Sequence, residues 1–491
     1  MTRNDQSLRK PFLLLCGTIT LLSAGLLVYS QAQAMAWDEG FHLLAAQLIK
    51  AGKTPYIDFC FPQTPLNAYW NAGWMRIFGD SWRAIHAIAA LLTTGAILLA
   101  ADFVFGRFPV PARRMAAALI AALVIGLNTL IVQFGTIAQA YALCLLLMVA
   151  SFRITILAAE RKEAGWGALA GLLAGAAAGC SLLTTPATPI LLLWLVIYNR
   201  AGTRLGKSAA FLAGAVASFL PVFWLFVEAP RQVFFNLIQY HLFYRSVGWE
   251  DAFQHDLELI ASGVNSAQGL LLILLALAGA LFTFQSRRDR QWREALYLCC
   301  WLVVALGLHI SSAHPTFEMY FVLVVPFLGV LAAVGFYEVI SRLDPRNRPF
   351  WPAFVLTILL CVGLAQALYQ RRIDYTWRDL EEIARKVDQV TPPRALLLAD
   401  EHVYFLTRRP PPSGEEFSDS HKVNLSAAVA ASLHIVPRSE LAKRVQAGIF
   451  STVETCNDED DDRIKVLNLP RVYAQKAVIH DCTIFWEVIR P

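Results

Sequence analysis

Long apolar runs separated by short polar segments fill most of the chain, and after Tyr369 they give way to a finer alternation of apolar and polar residues. A run of roughly 18 residues or more can span a bilayer, because ~30 Å of hydrocarbon takes about 20 helical residues. Eleven runs, at 11–30, 84–103, 115–132, 137–157, 166–183, 187–198, 208–227, 266–285, 295–310, 320–340 and 351–369, predict eleven membrane helices. The pair at 166–198 is the weakest: Pro186 and Pro189 split it, and one bent hairpin is the alternative. The run Pro11–Ser30 has the basic start and following small residues of a secretory leader, but its apolar stretch is longer than a usual leader core.

Composition agrees with this pattern. With 56% hydrophobic residues, 16% charged residues and a mean hydropathy of +0.48, a single soluble domain is excluded. The net charge of +5 would suggest an acidic partner for a soluble protein, yet the positive charges sort by membrane side, and nucleic acid need not be invoked. With a cytoplasmic N-terminus, eighteen Lys and Arg residues fall on the inner side of the eleven spans. Only Lys50, Lys53, Arg76, Arg83, Arg231 and Arg245 fall on the outer side. This asymmetry places the loops 31–83 and 228–265 outside together with the tail, and divides the chain into a membrane module, 1–369, and an outer domain, 370–491.

The tail reads as a soluble α/β domain. Thr376–Val390 sets Leu380, Ile383, Val387 and Val390 on one helical face, and Ala395–Ala399 reads as a short buried strand before a turn at Pro410–Gly414. Helices are expected at Leu425–Ile435 and Ser439–Gln446, and strands at Ile449–Thr455, Arg471–Ile479 and Thr483–Ile489. Six cysteines lie in apolar runs, where they act as small hydrophobes, whereas Cys456 and Cys482 are the tail's own pair and an oxidising compartment would let them join. The acidic run Asp458–Asp462 does not make a calcium loop, since Arg463 stands where a glycine must turn and Leu469 where a bidentate Glu is needed.

Carboxylates at the outer mouth of a helical membrane protein need a reason, because they are costly near hydrocarbon. Directly after the first run stand Asp38 and Glu39, then an amphipathic segment through Lys50, then PYIDFCFPQTPLNAYW from Pro55 to Trp70. Consecutive helical residues point about 100° apart, so the two acids cannot serve one ligand equally: one is expected to do chemistry and the other structure. The simpler reading is a helix N-terminus that favours acids.

An Asp-Glu pair just beyond the first span, an interfacial helix, and Pro-Tyr-x-Asp-Phe leading into Pro-Leu-x-x-Tyr resemble the bacterial polytopic GT-C glycosyltransferases. These include protein O-mannosyltransferase-like enzymes, lipid A aminoarabinose transferases and rhizobial core galacturonosyltransferases. Tyr320 with Pro326, and VYFLTRRPPPS at 403–413, are similar to further phrases of that family. The resemblance implies a GT-C-like fold with about eleven membrane helices in a bacterial inner membrane, with the N-terminus cytoplasmic and the C-terminal domain periplasmic. It implies inverting transfer of a sugar from a polyprenyl-phosphate donor to an envelope glycan, lipid or protein. It makes Asp38 the base, with Glu39 or Asp58 placing the acceptor or a cation, and puts Tyr56, Gln63 and Tyr320 among the substrate-binding residues. The sequence departs from the family at Gln63-Thr64-Pro65-Leu66, where many relatives carry Lys or His, and at Glu318-Met319 before Tyr320, where His is usual. Phosphate neutralisation must then come from elsewhere. Arg245, with His241 and Tyr240, is the expected source, and a divalent cation is the other replacement left open. A transporter or flippase of a lipid-linked substrate is the competing reading, although the spans lack the midplane charges such proteins carry.

Overall fold

All eleven apolar runs are helical in the computed structural model, which describes residues 3–32, 37–285, 290–343, 350–373, 375–456 and 467–489. Seven of these helices are long and apolar enough to cross a membrane: Leu13–Ala32, Trp82–Arg107, Tyr141–Glu160, Ala267–Phe284, Arg290–Ser311, Val325–Leu343 and Trp351–Gln370. The consecutive helices Arg204–Ser218 and Leu220–Glu228, bent by 50°, make an eighth span if taken together. The other three runs are short or broken. The run at 115–132 divides into Arg114–Gly126 and Thr129–Phe134, and the proline-split pair becomes Gly165–Cys180 and Leu182–Tyr198.

The chain folds as two compact units. The first comprises Met1–Gln31, His86–Pro221 and Asp251–Arg372, and holds most of the apolar helices. Its tightest packing rests on glycine. Gly167, Gly171 and Gly175 recur every fourth residue along one helix and lie against Lys207, Phe211 and Ala215 of the helix Arg204–Ser218. A Cβ at Gly171 would stand 1.8 Å from the Phe211 carbonyl oxygen, and one at Gly214 would stand 2.0 Å from that of Ala168. In hydrocarbon, where apolar burial does not drive helices together, close backbone approach of this kind adds van der Waals packing between them. Gly279 and Gly335 bring another helix pair together in the same way. The break at residues 127–129 is satisfied by buried Gln268, whose Oε1 accepts from the Thr129 amide at 2.8 Å and whose Nε2 donates to the Leu127 carbonyl at 2.9 Å.

The second unit comprises Ala32–Ile85, Val222–Glu250 and Ile373–Pro491. It joins most of the segment between the first two long apolar helices, part of the segment 228–265 and the tail, which the charge count expects on one side. Apolar residues from all three share a core: Cys60, Phe235 and Tyr240 pack with Val423, Ala430, Leu433 and Ile435. The tail contributes a four-stranded sheet in the order β1-β2-β4-β3, with β1 Leu397–Leu398, β2 Thr452–Cys456, β3 Tyr473–Ile479 and β4 Cys482–Val488. β1 runs parallel to β2, and β2 and β3 flank β4 antiparallel, so that Cys456 faces Cys482 and the two form a disulfide. The helix Trp377–Val390 opens on a capping box between Thr376 and Asp379 and buries Leu380, Ile383 and Val387, as its periodicity predicts. A short helix, Glu401–Thr407, lies between the first strand and the expected turn. The acidic run Asp458–Asp462 lies outside the described residues.

Candidate active site

The helix Trp37–Lys50 opens with Asp38 and Glu39 in its first turn, and the two diverge as their spacing requires. Glu39 is fully buried, and its Oε2 accepts the indole N–H of Trp377 at 3.1 Å. Trp377 in turn stacks on Trp82, with ring centroids 5.1 Å apart. One residue beyond Glu39 the same helix approaches the backbone of His402 so closely that a Cβ at Gly40 would lie 2.8 Å from its nitrogen.

Asp38 meets charge instead. Desolvation raises its pKa above the usual carboxylate value, Asp419 raises it further, and Arg245 and Lys422 oppose the shift. The residue nevertheless keeps solvent access. Its carboxylate is thus crowded by protein on one side and open to water on another. The helix N-terminus favours the charged form, so the net rise reflects a surrounding that outweighs it.

Asp419 and Lys422 stand on the one-turn helix Ser418–Lys422, three residues apart. The Asp419 carboxylate accepts the hydroxyl of Tyr240 and the ammonium of Lys422, the latter at 2.9 Å. Lys422 also donates to the Arg245 carbonyl at 3.0 Å. Arg245 follows a π-helix, Phe235–Tyr244, and its amide closes the last wide turn on the Tyr240 carbonyl at 2.9 Å. Such turns shift side-chain register and recur at functional sites.

The PYIDFCFPQ loop is held rigidly beside these residues. Asp58 takes the Thr54 amide at 2.7 Å and thereby closes its own turn. Tyr56 adopts a left-handed backbone (φ 68°), is fully buried, and donates its hydroxyl to the Gln63 carbonyl at 2.6 Å. Asn236 of the π-helix accepts the Phe61 amide at 2.8 Å, and His241 Nε2 lies 2.9 Å from the Pro62 carbonyl. A carbonyl only accepts, so Nε2 carries the proton. Burial and Arg245 lower the His241 pKa to about 4, which leaves the ring neutral.

Asp38, Glu39, Tyr56, Asp58, Gln63, His241 and Arg245 therefore all belong to the second unit, whereas Tyr320 belongs to the first. There it is buried, with its ring edge-on to Phe317. Asp419 and Lys422 carry no motif and escape a reading by sequence; only their three-residue spacing suggests a shared face.

Two carboxyls beneath this turn are also perturbed. Glu401 accepts the Ser418 amide at 2.7 Å and Glu416 accepts that of Gly414 at 2.8 Å, yet burial raises each pKa from 4.5 to about 7. A raised carboxyl pKa contributes stability that is fully present below 4.5 and is lost as pH rises through about 7, on the order of 3 kcal/mol per group. Glu401→Gln is therefore expected to melt above the wild type at about pH 8 and level with it at about pH 4, which a thermal unfolding series in detergent checks.

His402, Glu454 and Cys456 offer ligand atoms within 4.8 Å of one another, but Cys456 is joined to Cys482 and has no thiolate to give. Glu454 also accepts the Asp400 amide at 3.0 Å. This trio does not fit a metal centre.

The first unit holds a cavity of about 1060 Å³ with largely apolar walls, including Leu272, Ala276, Val304, Gly307 and Leu328, and with Gln268, Glu318, Gln366 and Gln370 as polar lining. Glu318 pairs with Arg371 at 3.0 Å.

No protein family and no curated protein sequence matches the chain. Solved structures do. ArnT from Cupriavidus metallidurans bound to undecaprenyl phosphate superposes with a TM-score of 0.67 at 15% identity, over 96% of this chain and 97% of that one. The same protein in its apo state gives 0.65 at 16%, over 98% of each chain. The Archaeoglobus fulgidus oligosaccharyltransferase, in complex with Zn and sulfate, gives 0.51 at 14%, over 94% of this chain and 71% of that one. The chain thus has the fold of these two proteins, in keeping with the resemblance in its sequence.

Proposed function

We propose that a chain with this fold and this cluster of charges transfers a sugar from a polyprenyl-phosphate donor to a hydroxyl acceptor at the outer face of the inner membrane. The observation that carries the reading is Asp38: a carboxylate of raised pKa, open to water and flanked by two cations. A base of raised pKa takes a proton more readily at neutral pH. In the proposed step Asp38 removes the acceptor proton as the acceptor oxygen forms its bond to the anomeric carbon. The bond from that carbon to the phosphate oxygen breaks, and polyprenyl phosphate departs with the electron pair. Attack opposite the leaving group inverts the anomeric centre. Arg245 stabilises the charge that develops on the phosphate, as a guanidinium suits its paired oxygens.

The other residues position this pair. Glu39 anchors Trp377, Asp58 and Tyr56 shape the loop, and neutral His241 ties that loop to the helix bearing Arg245. The undecaprenyl phosphate named with the Cupriavidus protein supports a donor of this class.

Mass spectrometry of lipids co-purifying in mild detergent tests the reading. A polyprenyl phosphate is expected with the wild type, and its sugar-loaded form with Asp38→Asn. Bulk phospholipid alone from both would count against it.

A further inference from the structure

We propose that Lys422 is a second phosphate-binding cation of the site and that Asp419 is its resident counter-ion, which the donor phosphate displaces. This inference rests on the polyprenyl-phosphate reading and adds to it a group from the C-terminal tail. Lys422 reaches the region of Asp38 and Arg245 from the far end of the sequence, 177 residues after Arg245. Its ammonium has three donors. Asp419 and the Arg245 carbonyl occupy two, which leaves the third to a ligand oxygen.

The two members of the ion pair differ in a way that fits exchange. Each is held by two partners, Lys422 by Asp419 and the Arg245 carbonyl and Asp419 by Lys422 and the Tyr240 hydroxyl, but the Lys422 side chain is 16% exposed whereas that of Asp419 is 52% exposed and has water at hand. Asp38 and Asp419 balance Arg245 and Lys422, so the resting cluster is close to neutral. A phosphate that replaces Asp419 against Lys422 meets two cations and is spared the nearest negative charge. The contact with the Arg245 backbone sets the ammonium beside the residue that carries the guanidinium, so both cations serve one phosphate. A lysine, as a flexible point charge, suits this exchange better than a rigid fork does.

The test measures the affinity of the purified full chain for a long-chain polyprenyl monophosphate and for the matching polyprenol, in detergent and free of other anionic lipid. The wild type is expected to prefer the phosphate. Lys422→Gln is expected to lose about tenfold of that preference with polyprenol affinity unchanged, and Lys422→Arg to keep most of it. Asp419→Asn, which removes the competitor, is expected to bind the phosphate several-fold more tightly. A purely structural pair would instead weaken in both variants and for both lipids. A Lys422→Gln protein that prefers the phosphate as strongly as the wild type overturns the assignment of Lys422, and an Asp419→Asn protein that binds it no better overturns the counter-ion role. A wild type that does not distinguish the two lipids overturns the donor reading itself.

Discussion

Replacing Asp38 with Asn is expected to lower sugar transfer by about 10²–10⁴-fold, the contribution usual for a positioned general base. The substitution keeps the side chain's size and removes only its capacity to take a proton. Because the folded protein holds the Asp38 pKa above the ordinary value of 3.8, the carboxyl's contribution to stability is present below that value and lost as pH rises through the raised one. At neutral pH, Asp38→Asn should therefore unfold at the same temperature as the wild type or above it. Inactivity combined with undiminished stability separates a catalytic defect from a folding defect. The pH profile gives a second check: wild-type kcat/KM should fall on the acid side at a pH above the usual carboxylate range. Full activity in the variant would remove Asp38 from the mechanism.

Replacing Arg245 with Ala is expected to raise the donor KM by about 10–100-fold, the range for a lost charge-assisted contact of 1.5–3 kcal/mol. The acceptor KM should stay within a few-fold of the wild type, because the guanidinium is assigned to the phosphate. Arg245→Lys should recover part of the loss, since it restores charge without the paired geometry. Steady-state kinetics with each substrate varied in turn distinguish these outcomes, and equal damage to both KM values would show that Arg245 shapes the whole cleft.

Much of this architecture is legible in the order of residues because it depends on local period. Apolar length marks the helices, and alternation marks the strands, which fall within three residues of their expected starts, as with Ile449–Thr455 against Thr452–Cys456. The divergence of Asp38 and Glu39 follows from helical geometry alone. Grouping Arg245 with Tyr240 and His241 is likewise local, although sequence does not reveal that His241 is held neutral by burial. What sequence hides is contact at a distance. Nothing near Asp419 or Lys422 signals that they meet Tyr240, Arg245 and Asp38, because charge partners separated by hundreds of positions leave no period. The π-helix is equally silent, since its wide turns use the same residues as ordinary ones. The broken run at 115–132 is read as continuous because a hydropathy window does not register the halt at Asn128, which a distant glutamine satisfies.

The order in which the site's residues leave the ribosome has a consequence for biosynthesis. Asp38 emerges early, Arg245 near the middle of synthesis, and Asp419 with Lys422 only after the last apolar helix has been made. A nascent chain can therefore insert its helices while its charge cluster is still incomplete. A chain that ends before residue 419 therefore carries all its apolar helices but lacks two of the four charges of the cluster.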